Sequence, residues 1–206
     1  MRALIERRLA APRPPADPYE RLLARVVGEV TSELRAALAA ESRHAAVLLA
    51  LVERKDAYNV LFTERAPGLK SHPGQISFPG GRVEEPGETA VEAALREAHE
   101  EIGLEPRDVS VAGCLDAHVT GTGFSVTPVV GFVPSAFVAR PHPAEVSGVF
   151  EVPLAFFLDP NAARETHRER FGCRFRSYEF HYGDRLIWGA TAAMLVAFRD
   201  MLIYET

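Results

Sequence analysis

Residues 80–104 constrain this chain more than any other stretch, because they read as a glycine-rich loop feeding a helix whose two ends are both marked. Thr89 and Glu92 have the spacing of a capping box, in which each side chain satisfies a backbone N–H that the first helical turn leaves unpaired. Gly103 follows the last periodic residue, where a helix commonly ends in a left-handed conformation. Val91, Ala94, Leu95, Ala98 and Ile102 form an apolar stripe along this helix, and Glu97, Glu100 and Glu101 share a different face at i, i+3, i+4. At about 100° per residue the stripes are centred about 120° apart, so the carboxylates are expected to flank the buried face and look into a cleft. Like charges this close repel, and Arg96 is the basic residue placed to offset them. A hard divalent cation resolves the repulsion, because Mg²⁺ takes oxygen ligands and keeps waters and substrate phosphates in its shell. A solvated acidic face is the plainer reading of an arbitrary Glu-rich helix. The preceding glycine loop and the Arg96-Glu97 context favour the metal.

Around this unit the pattern predicts a mixed α+β fold. Residues 11–18 hold four prolines and read as an extended arm, and 19–40 carry apolar residues at helical spacing. The apolar run 45–52, a polar turn and 59–63 read as a hairpin. Further strands are expected at 109–115, 125–133, 146–152 and 178–182, and a last helix at 191–202. Strands and helices are interspersed without strict βαβ alternation, so a mixed central sheet with helices on both faces fits best. The expected organisation is an N-terminal arm and helix over 1–40, packed on one domain over 41–206.

A chain of 206 residues, 47% hydrophobic, suffices for one sizeable core. Its net charge of −5 argues against a nucleic-acid partner held by bulk electrostatics, so a phosphorylated ligand needs metal ions or a local basic cluster. No apolar run is long enough to cross a bilayer, and no membrane partner is expected. Cys114 and Cys173 have no neighbours at zinc-ligand spacing, and neither a zinc site nor a disulfide is expected. An Arg-rich N-terminus leaves an organellar transit peptide as the minor alternative to a cytoplasmic location.

Residues 81–104 resemble the Nudix box: Gly, five residues, Glu, seven residues, Arg-Glu, an aliphatic residue, any residue, Glu-Glu, any residue, Gly, aliphatic. Glu88, Arg96, Glu97, Glu100, Glu101, Gly103 and Leu104 match; Ala98 fills the aliphatic slot, and Gly81 stands one residue too far from Glu88. Such an excess in a loop is thermodynamically easy. Upstream, residues 61–81 are similar to the signature of the coenzyme A pyrophosphatase subfamily, with Phe62 and Ala66 as departures and Arg65, His72, Gly74, Gln75, Phe78, Pro79, Gly80 and Gly81 as matches. The longer box loop is usual in that subfamily. The likeness covers about residues 45–200.

The resemblance implies an α/β/α sandwich and metal-dependent hydrolysis of a nucleoside diphosphate derivative, with Mg²⁺ as cofactor and Mn²⁺ as a substitute. Coenzyme A is the expected substrate, giving 3′,5′-ADP and 4′-phosphopantetheine; ADP-ribose and dinucleotide cofactors are alternatives. A non-catalytic ligand-binding domain is a further one, and the intact carboxylates argue against it. Glu97, Glu100 and Glu101 are the expected metal ligands, joined by the Gly80 carbonyl. Arg96 orients a carboxylate by bidentate pairing, and Glu88 supports the metal shell or pairs with Arg96. Glu100 and Glu145 are both candidates for general base. Arg65, Lys70, His72, Gln75, Phe78 and Gly81 are the expected substrate contacts, and a monomer or homodimer is expected.

Overall fold

The computed structural model describes residues 1–11, 17–39, 43–55, 57–69, 73–84, 86–120 and 123–204. Helix α1 (Arg2–Ala10) is followed by α2 (Pro18–Leu23), the strand β1 (Val26–Val27) and α3 (Ser32–Ala39). Strands β2 (Arg43–Arg54) and β3 (Ala57–Arg65) come next, then the short β4 (Ile76–Ser77) and β5 (Gly80–Arg82), and helix α4 (Ala90–Ile102). After it run β6 (Ser110–Cys114), β7 (His118–Val119), β8 (Phe124–Val133) and β9 (Val146–Pro153). Helix α5 (Leu154–Leu158), β10 (Ala163–Arg170), β11 (Cys173–Tyr182), β12 (Arg185–Trp188) and α6 (Gly189–Ile203) complete the chain.

The central sheet has the order β4-β3-β2-β8-β6, with β5 on β2, β9 on β3 and β7 on β8. Strand β2 runs parallel to β8 over ten residue pairs and antiparallel to β3 and β5, so the sheet is mixed. Both faces of β2 are covered, which explains its unbroken apolar run. Ala46, Leu48, Ala50 and Val52 pack with Ala94, Ala98 and Ile102 of α4. Leu49 and Leu51 face the other way, into a cluster with Phe62, Phe157, Leu195 and Phe198 of the α6 side. Ile5 of α1 is fully buried in that second cluster. This is the three-layer sandwich of mixed sheet and flanking helices expected above.

A smaller sheet joins β1, β10, β11 and β12. It overturns the single helix expected over 19–40. Val26 and Val27 pair with Phe175 and Arg174, and Gly28 has a φ of 97°, a left-handed conformation that glycine adopts without steric cost. The apolar spacing there reports a real buried face, since Leu22 and Leu34 pack with Val119, Cys173 and Phe175. Two short helices share that face. Pro18, placed in the arm by sequence, instead opens α2 behind the Asp17 cap, as its fixed φ allows at a first helical position. Residues 2–10 are helical and 163–170 form a strand, neither anticipated.

Candidate active site

Helix α4 begins and ends as its sequence dictates. Thr89 accepts the Glu92 N–H at 3.2 Å while Glu92 accepts the Thr89 N–H at 2.8 Å, and Gly103 closes the helix at a φ of 67°. That fixes the rotation of the three glutamates, which occupy three different environments.

Glu101 is 4% exposed, with Oε2 accepting the Gly80 N–H at 3.2 Å. Burial, joined by repulsion from Glu97 and Glu145, pushes its carboxyl up to about 7 against the pull of the Gly80 hydrogen bond and of Arg65. Glu97 is half-buried, and burial raises it as well, opposed by the adjacent Arg96. Its carboxylate lies over Gly81, where a Cβ would stand 2.3 Å from Oε1. Glu100 is 53% exposed and reaches back to Arg96 at 3.4 Å. The sequence pattern put all three on one flank beside the core; the structure instead sinks Glu101 into the buried side and leaves Glu100 outside.

Arg96 ties the loop to the helix. Its Nε donates to Glu88 at 2.9 Å, Nη1 to Glu97 at 3.1 Å and Nη2 to the Arg82 carbonyl at 2.9 Å. Glu88 in turn accepts the Glu84 N–H at 2.8 Å, so one guanidinium fork fixes both sides of the box loop.

The other edge of the site comes from the 140–146 turn. The His142 N–H donates to the Glu101 carbonyl at 2.8 Å, and the Glu145 carbonyl accepts the Ala66 N–H at 2.8 Å. These bonds hold Glu145 where its charge raises both Glu97 and Glu101. Arg65, at the end of β3, supplies the opposing positive field at Glu101. Its N–H donates to the Gln75 carbonyl at 3.0 Å, so the backbone of the upstream segment folds back beside the site.

Several expected substrate residues have other positions. Phe78 is 1% exposed and stacked on Phe62 at 5.4 Å, so it is corrected from a ligand contact to a core residue: its ring is spent on packing. Gly81 seats Glu97, and Gly80 engages Glu101 through its N–H. Lys70 and His72 lie outside the described residues. Sequence reasoning missed Arg82, although its position directly after Gly81 was a usable signal.

A divalent cation fits what is present. Glu97 and Glu101 supply hard oxygen donors one helical turn apart, and the raised Glu101 carboxyl is a buried anion short of compensating charge. Among the described residues no three His, Cys, Asp or Glu side chains stand together so as to hold a metal ion. Two carboxylates with an open side suit a cation that retains waters and takes substrate phosphates.

The NUDIX domain profile matches residues 42–171. The chain belongs to the Nudix family. The uncharacterized Nudix hydrolase NudL of Enterobacter sp. (strain 638) is 39% identical over 153 residues, 74% of this chain and 79% of the relative. NudL of Escherichia coli (strain K12) is 40% identical, with the same coverage of 74% and 79%. Among solved structures, a Nudix hydrolase from M. smegmatis, RenU, aligns at a TM-score of 0.48 and 25% identity, over 56% of this chain and 73% of the other. As a Nudix hydrolase the protein acts on pyrophosphate bonds, and enzymes of this family generally need divalent metal ions. No helix among the described residues is long and apolar enough to cross a membrane.

Proposed function

We propose that this Nudix hydrolase cleaves the diphosphate of coenzyme A or its derivatives, giving 3′,5′-ADP and 4′-phosphopantetheine, with Mg²⁺ and with Mn²⁺ as a substitute. The observation that carries the reading is the sequence of residues 61–81, which resembles the coenzyme A subfamily signature. Its described residues, 61–69 and 73–81, lie in β3, β4, β5 and the adjoining turns, bring the Arg65 charge to Glu101 and include the glycines beneath Glu97 and Glu101.

In this reading Glu97 and Glu101 hold the cation, and Glu100 joins them by swinging from Arg96. A divalent cation held there would supply neutralisation of phosphate oxygens and a lowered pKa for an attacking water. Arg96, held by Glu88, keeps Glu97 over Gly81. Glu145 and Glu100 are the candidates to take the proton from water; Glu145 is the one whose field reaches both buried carboxylates. Arg65 pairs with the diphosphate, and Gln75, Lys70 and His72 contact the remainder of the substrate.

The test is turnover of coenzyme A, ADP-ribose and a dinucleotide cofactor at equal concentration with Mg²⁺, with products resolved by chromatography. Coenzyme A is expected to have the highest kcat/KM. Equal or faster cleavage of ADP-ribose would overturn the substrate assignment and leave the hydrolase chemistry standing.

A further inference from the structure

A small void lies where the N-terminal segment meets the rest of the chain, and it shares no lining residue with the carboxylate centre. Its volume is about 30 Å³, and its wall is formed by Arg21, Leu22 and Arg25 on one side and by His118 and Val119 of β7 on the other. That is room for about two water molecules or for one monatomic ion. Arg25 stands between α2 and β1, and its guanidinium also reaches the carbonyl of Arg176 in β11. The void is therefore set at the junction of the N-terminal segment with both sheets.

The polar side chains of its wall are donors. Arg25 donates Nε and Nη2 to the Arg176 carbonyl at 3.1 and 3.0 Å, and Nη1 to His118 Nε2 at 2.9 Å. An arginine only donates, so Nε2 is the acceptor and the proton of the neutral imidazole sits on Nδ1. Burial, joined by the charges of Arg25 and Arg21, pushes His118 down to about 3 and holds it neutral. Arg21 is paired with Asp116, whereas among the described residues no carboxylate pairs with Arg25, whose partners are all uncharged. Two guanidiniums thus stand against one carboxylate. A half-buried cation bonded only to neutral groups keeps part of its desolvation cost unrelieved. Water in the void needs acceptors for its own protons and brings no charge, while an anion accepts only and cancels the excess.

We propose that this void is a binding site for a monatomic anion, chloride in solution, held between the guanidiniums of Arg25 and Arg21 beside His118. The ligand clamps the segment after α2 to β7 of the central sheet and, through Arg25 and the Arg176 carbonyl, to β11 of the smaller one. It acts on the stability of that junction and not on hydrolysis, so the site does not depend on which diphosphate the enzyme cleaves.

The experiment has two arms. Crystals of the full chain are soaked in sodium bromide, and an anomalous difference peak is expected in the void beside Arg25. Thermal denaturation of wild type and of Arg25→Met is then followed against sodium chloride, with ionic strength held constant by sodium gluconate, whose anion is too large to enter. Wild-type Tm should rise by about 3–6 °C and level off once chloride exceeds its Kd about tenfold. Arg25→Met should show no such rise. If that variant does not fold, Arg21→Met at the exposed wall takes its place, and the chloride concentration for half the effect should increase about tenfold. A void that holds only water in bromide, a wild-type Tm indifferent to the exchange of gluconate for chloride, or a chloride response unchanged in the variant would each overturn the site.

Discussion

Replacing Glu101 with Gln keeps the shape of the side chain and an oxygen to accept the Gly80 N–H, and removes only the charge. The carboxyl stands at about 7 in the folded chain against 4.5 for the ordinary group. At 1.36 kcal/mol per unit this difference amounts to an upper figure of about 3 kcal/mol. Because the folded value is raised, the neutral form favours folding. The contribution is complete below about pH 4.5 and is lost as pH rises through about 7. Metal-free wild type should therefore weaken across that window, while Glu101→Gln, neutral throughout, should be more stable at pH 8 by up to about 3 kcal/mol and match wild type in acid. For a chain of this length that corresponds to roughly 6–12 °C in Tm. Mg²⁺ should reverse the order, stabilising wild type and leaving the variant nearly unmoved. Turnover of the variant should fall by at least about a hundredfold. The assay is thermal denaturation between pH 4.5 and 8, with EDTA and with Mg²⁺, beside turnover. A variant less stable than wild type at pH 8 without metal, yet still stabilised by Mg²⁺, would refute the claim that Glu101 is a buried charge awaiting a cation.

The two glycines should fail differently. Gly81→Ala displaces a carboxylate at the end of a flexible side chain, so the fold should survive while the Mg²⁺ concentration for half-maximal activity rises about tenfold or more; unchanged metal dependence would show that Glu97 need not lie there. Gly80→Ala drives a Cβ to 2.4 Å from the Ala46 carbonyl at a φ of 151°, and should cost about 3 kcal/mol in urea denaturation, an effect absent if β5 can shift away. Arg96→Lys keeps the charge but loses the fork that spans Glu88, Glu97 and the Arg82 carbonyl, so kcat should fall about tenfold or more with KM little changed. A rise in KM alone would place Arg96 in binding.

The parts of this protein that could be read from sequence are those whose signals are local. The capping box, Gly103 and the apolar run of β2 each carry their own instruction, and the structure follows them. What escaped depends on residues far apart in the chain. Val26 and Val27 leave the helical pattern because Phe175 and Arg174, nearly 150 positions away, offer a strand to pair with. The same distinction divides the active site. Helical spacing groups three glutamates and gives them equal standing. Their inequality comes from partners on other elements: the Gly80 N–H and the 140–146 turn beside Glu101, and the bare Gly81 surface beneath Glu97, whereas Glu100 is exposed and reaches Arg96 of its own helix. Burial then sets Glu101 apart, pushing its carboxyl up to about 7. Spacing along a helix can nominate ligands, but only the strand that docks against it decides which of them stores the unfavourable charge.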